Sequence, residues 1–122
     1  MKKLILTLLA CLLLAGTAFA DNSVSFKWDA NTETDLAGYR LYQSTTPGQY
    51  TFGEGNQVAI ISAGIETVTL PNVLDGTFFW VLTAYDLEGN ESGPSNEVSA
   101  TLDSTPPGAP TILEITAVVK AP

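Results

Sequence analysis

The chain has 122 residues and is acidic, with 13 Asp and Glu against five Lys and Arg and a formal net charge of −8. A surface of that sign repels nucleic-acid phosphates and anionic lipid headgroups, so neither is an expected partner. There is no histidine and the single cysteine is Cys11, which excludes Ser/His and Cys/His catalysis and the common His/Cys metal sites.

The N-terminus reads Met1-Lys2-Lys3, then an apolar run over residues 4–14, then Ala18-Phe19-Ala20. A charged start, a short apolar stretch and an A-x-A box mark a secretory signal peptide over residues 1–20, cleaved after Ala20. The expected location is therefore secreted or periplasmic. The apolar run is short for a membrane span, and no membrane association is expected after cleavage. Leu8-Leu9-Ala10-Cys11 is a poor lipidation box, because small residues usually precede an acylated cysteine and Leu12 to Leu14 continue the apolar run. Cleavage removes Lys2, Lys3 and Cys11. The remainder sets Lys27, Arg40 and Lys120 against all 13 acids, a net charge of −10. Without cysteine it forms no disulfide, so its stability rests on packing. About 100 residues make one domain with a modest core.

Val24, Phe26 and Trp28 alternate with Ser25, Lys27 and Asp29, which predicts a strand with one buried face, Trp28 included. Residues 31–38 are polar, end in glycine and read as a loop, with Asp35 placed to bond nearby backbone amides. Tyr39 and Leu41 share one face of the next strand, with Arg40 and Tyr42 on the other. Residues 44–56 hold Pro47, Gly48, Gly53 and Gly55 and read as a long turn region. Short β-branched runs follow at residues 58–61 and 67–70, the second closed by Pro71. Asp75-Gly76 then turns into a long strand in which Phe78, Trp80, Leu82 and Ala84 fall at every second position. Residues 86–90, Asp-Leu-Glu-Gly-Asn, turn the chain, and residues 95–102 return with Val98, Ala100 and Leu102 alternating. About six strands with no helical periodicity make an all-β antiparallel sandwich.

The ordered set Trp28, Gly38-Tyr39-Arg40-Leu41-Tyr42, Leu70, Phe78-x-Trp80-x-Leu82-x-Ala84, Gly89-Asn90-Glu91-Ser92 and Pro94-Ser95-Asn96-Glu97-Val98 resembles a fibronectin type III domain of the secreted bacterial type, over residues 23–102. The resemblance implies an immunoglobulin-like β-sandwich over residues 21–103. Two departures stand out. Phe78 takes the place of the family's tyrosine, whose hydroxyl ties the strand to the preceding corner, so that corner is expected to be looser. Only Asp21 to Ser23 separate the cleavage site from Val24, so the family's strand A is expected to be missing or vestigial. Residues 104–122 form a Pro-rich linker and a strand-like tail, with Thr111-Ile112-Leu113-Glu114-Ile115-Thr116-Ala117-Val118-Val119 resembling the opening of a following domain.

The resemblance implies an exported, non-catalytic module that binds a protein or surface polysaccharide, or acts as a spacer. One alternative is a self-assembling subunit in which residues 111–119 supply the absent strand to a neighbour. Another is a carbohydrate-binding accessory domain. The family's Arg-Gly-Asp adhesion loop is absent. No cofactor or metal is expected. Tyr42, Phe79, Val81 and Tyr85, all on the outer sheet face, are the candidate apolar binding patch. Asp86, Glu88, Asn90 and Glu91 are candidate loop contacts. Their spacing is not that of an EF-hand calcium loop, and a polar turn with positive φ at Gly89 accounts for them.

Overall fold

A computed structural model describes residues 22–122; the expected signal peptide, its cleavage site and Cys11 lie outside the described residues. Six strands follow in order: β1 (Asn22–Lys27), β2 (Leu36–Ser44), β3 (Ala59–Ser62), β4 (Thr67–Val73), β5 (Gly76–Asp86) and β6 (Val98–Leu102). β1 pairs with β4, and the other four form a sheet in the order β3-β2-β5-β6, every pairing antiparallel. The chain is an all-β antiparallel sandwich.

Period-two alternation sets which residues enter the space between the sheets. Leu41 of β2, Leu70 and Val73 of β4 and Trp80 of β5 form the buried centre. Val24, Phe26, Phe78, Leu82, Ala100 and Leu102 pack around them. The Trp80 ring meets the Phe26 ring edge-on at 5.2 Å, and its indole N–H donates to Gln43 Oε1 at 2.9 Å, so the largest core ring keeps a hydrogen-bond partner. Trp28, expected in the core, is half-buried at the end of β1, edge-on to Tyr39 at 5.2 Å. Gly38 permits the close β2–β3 pairing: a Cβ there would run into the Ile61 carbonyl oxygen.

Three boundaries differ from the sequence expectation. β4 does not stop at Pro71 but continues to Val73. The register steps from Val24↔Leu70 to Asn22↔Val73, and Asn72 takes a φ of 56°. This bulge absorbs the proline, which has no N–H to give to the ladder. Asn tolerates the left-handed conformation better than most residues. β6 starts at Val98 rather than residue 95. Before it, Ser92 and Ser95 stand in for a regular ladder. Their hydroxyls accept from the N–H groups of Ala84 and Leu82 at 2.9 Å, and their own N–H groups donate to the carbonyls of the same two residues at 2.8 Å. β2 starts at Leu36, two residues before the predicted end of the loop.

Asp75 ties one pole of the sandwich together. It accepts from Asn22 Nδ2 at 2.8 Å, from the Ser104 N–H at 2.9 Å and from the Ser104 hydroxyl at 3.0 Å. The start of β1, the β4–β5 turn and the exit of β6 therefore meet at one place. These bonds, the Asn22 amide foremost, hold the Asp75 carboxyl below its ordinary value. Beyond it, residues 105–122 are exposed and form no strand.

Candidate functional site

The outer face of β2 and β5 is where the candidate patch was expected, and it is largely closed. Tyr42 and Val81 are 1% and 5% exposed, so neither belongs to a surface patch. Phe79 and Tyr85 are half-buried. The cover comes from the connection between β2 and β3. Phe52 sits edge-on to Tyr42 at 5.0 Å, and the Gly53 N–H donates to the Tyr42 hydroxyl at 3.1 Å. Further along the same connection, the Gly48 N–H and the Tyr50 hydroxyl both donate to Glu97 Oε2, at 2.8 and 2.6 Å. Glu97 directly precedes β6, so residues 45–57 cross over β5 as a strap. Burial and then the Glu97 bond push the Tyr50 hydroxyl well above its ordinary value, while the Tyr50 and Gly48 donors hold Glu97 below its own.

Beneath this cover lies a polar cluster centred on Glu91. Its Oε1 accepts from Arg40 Nη1 at 2.9 Å. Its Oε2 accepts from the Thr83 hydroxyl at 2.6 Å and from the Tyr42 hydroxyl. Arg40 is 5% exposed and lies over the Tyr85 ring at 4.2 Å. Burial pushes the Glu91 carboxyl up, but the bonds from Thr83, Tyr42 and Arg40 outweigh it, and the group is held below its ordinary value. An acid with three donors committed to it serves as a structural anchor for β2 and β5.

The turn candidates also serve the fold. Asp86 Oδ1 accepts from the N–H groups of Glu88 and Asn90, at 3.0 and 2.8 Å, and Oδ2 accepts from Asn90 Nδ2 at 3.0 Å. Asn90 foremost, these donors hold the Asp86 carboxyl below its ordinary value. Gly89 has a φ of 90°, as the polar-turn reading requires. Asp35 contributes its backbone carbonyl, which accepts from the Leu87 N–H at 2.9 Å. Asp35, Asp86 and Glu88 bring carboxylate oxygens within 4.8 Å of one another, but both Asp86 oxygens are already committed to the turn.

The open feature lies elsewhere. A groove of about 380 Å³ runs between β1 and β6, lined by Val24, Phe26 and Trp28 on one side and by Leu82, Val98 and Ala100 on the other. Both strands are sheet edges: among the described residues, β1 pairs only with β4 and β6 only with β5. Apolar side chains therefore sit beside backbone groups free to pair, which is the geometry that accepts an added strand. The sequence pointed here through the expected lack of a strand A, and missed the closed cover over Tyr42.

No protein-family model and no curated protein matches the chain. Among solved structures, it is similar to the spore cortex lytic enzyme SleM of Clostridium perfringens, at 18% identity and a TM-score of 0.51. The match covers 70% of this chain and 26% of SleM, so the chain spans about a quarter of that enzyme's length, and the likeness shows the fold alone.

Proposed function

We propose that the chain is an exported, non-catalytic interaction module of the fibronectin type III kind, and that it receives extended polypeptide in the groove between β1 and β6. The observation that carries this reading is the groove itself, an apolar trough flanked by two unpaired strand edges. The strand order β1-β4 opposite β3-β2-β5-β6, with the sequence motifs on β2 and β5, supports the family kinship. The signal-like residues 1–20 support export. The commitment of Glu91 and Asp86 to internal hydrogen bonds favours a binding role over catalysis. A sugar platform has less support, since Tyr42 is closed under Phe52 and Trp28 is half-buried against Tyr39.

Selection of short displayed peptides against the immobilised chain tests the reading. Binders with alternating apolar residues are expected, and on titration they should shift the amide resonances of Val24, Phe26, Val98 and Ala100. Failure to select any binder, or binders that shift only the Asp86 turn or the strap, would overturn it.

A further inference from the structure

We infer that the occupant of this groove is the tail of a second copy of the chain, with residues 111–119 adding as a strand antiparallel to β1. The inference rests on the reading of the groove as a strand acceptor. It names the partner from the tail's own pattern, exit point and reach.

The tail carries a complete apolar stripe. Leu113, Ile115, Ala117 and Val119 fall at every second position, with Glu114, Thr116 and Val118 between them on the opposite face. Leu113 is 99% exposed, Ile115 83% and Val119 91%, so the stripe is unburied within its own molecule. Laid into the groove with that stripe inward, it would cover Val24, Phe26 and Ala100 and turn Glu114, Thr116 and Val118 outward. The tail from residue 104 onward holds one acid, Glu114, and one cation, Lys120. It brings no net negative charge to an acidic neighbour, and Lys27 lies along the groove.

Direction excludes the molecule's own groove. Asp75 bonds both Asn22 and Ser104, so the tail leaves from the pole where β1 begins. Folded straight back, it would run parallel to β1, whereas every pairing in this molecule is antiparallel. To run antiparallel on its own β1 it would first have to travel the strand's length, about 20 Å for six residues. The linker of residues 105–110 spans about 19 Å when extended, which leaves nothing for the reversal. A neighbour stacked in the same orientation beyond that pole presents the Trp28 end of its β1 first. The tail entering there runs antiparallel without any turn. The contact is heterologous and does not close on itself, so it builds open chains.

Light scattering on the exported chain across a concentration series up to millimolar tests this, beside the double variant Ile115→Lys, Ala117→Lys. Both positions are exposed in the tail, so the variant leaves the sandwich intact. The average mass should at least double over the series, and the variant should stay monomeric throughout. Isotope-labelled variant, whose groove is unaltered, mixed with unlabelled parent chain should show shifts along β1 and β6. A parent chain that is monomeric at every concentration, oligomers that survive the double substitution, or shifts confined to β3 would each overturn the inference. If selected peptides still fill the groove while the chain stays monomeric, this inference alone falls. If no peptide binds either, the strand-acceptor reading falls with it.

Discussion

Glu91 is the residue on which the covered face depends, because one carboxylate serves Arg40, Thr83 and Tyr42 together. The three donors are not equivalent. Arg40 is buried and charged, and its other carboxylate neighbour, Glu54, stands 3.9 Å away and is exposed. Removing Glu91 leaves a guanidinium in the interior without a close counter-charge, a loss that typically costs about 3–5 kcal/mol. Removing the Thr83 hydroxyl deletes one hydrogen bond to an acid that keeps two others, a loss of about 1–2 kcal/mol, and removing the Tyr42 hydroxyl also takes the acceptor from the Gly53 N–H. Glu91→Ala should therefore destabilise the chain more than Thr83→Val or Tyr42→Phe, as read from urea unfolding midpoints. Equal effects from all three variants would show that the Arg40–Glu91 pair adds nothing beyond what a single hydroxyl donor to the carboxylate gives.

At the scale of the element, the strands were legible and the cover was not. Alternation assigned Leu41, Trp80 and Leu82 to one face and Arg40, Tyr42 and Val81 to the other, and both assignments hold. Periodicity says that a strand has two faces; it carries no information about what lies against each of them. The strap could not be read, because residues 44–56 carry four Gly and Pro signals that read as turn, while Tyr50 and Phe52 are only two aromatics among them. Glu91 was legible as a polar turn residue but not as a partner of Arg40, 51 positions earlier, since such a pairing exists only once β2 and β5 lie side by side. The strap gives the second prediction. Tyr50→Phe removes one of the two donors that fix it to Glu97 and leaves the Gly48 N–H bond at 2.8 Å. Local opening of a segment held by few contacts changes without global unfolding. Amide exchange over residues 48–56 should rise several-fold while β2 and β5 keep their protection. Unchanged exchange there would mean that the Gly48–Glu97 bond and the contacts of Phe52 and Gly53 with Tyr42 suffice to hold the strap.

For the whole molecule, the depressed carboxyls set how it meets acid. Asp75, Asp86, Glu91 and Glu97 are all held below their ordinary values by donors that exist only in the fold. Each binds a proton more readily when unfolded, so the stabilisation is fully present above the unfolded carboxyl range of about 4 to 4.5 and is lost as pH falls through the lower folded values. A second effect opposes the first. With five cations against 13 acids, the molecule repels itself at neutral pH, and protonation relieves that repulsion. The two separate by salt. Repulsion between exposed charges is screened at a Debye length of about 8 Å in physiological salt, whereas the bonds to Glu91 lie beneath the strap and are screened far less. Thermal midpoints should therefore rise with added salt at neutral pH, stay nearly flat down to about pH 5, and fall steeply below about pH 4 at any salt concentration. In Glu91→Gln the acid limb should become shallower, because the most protected of the four titrations is gone. An acid limb of unchanged steepness in that variant would place the pH sensitivity in the exposed carboxylates of Asp75, Asp86 and Glu97 instead of the covered cluster.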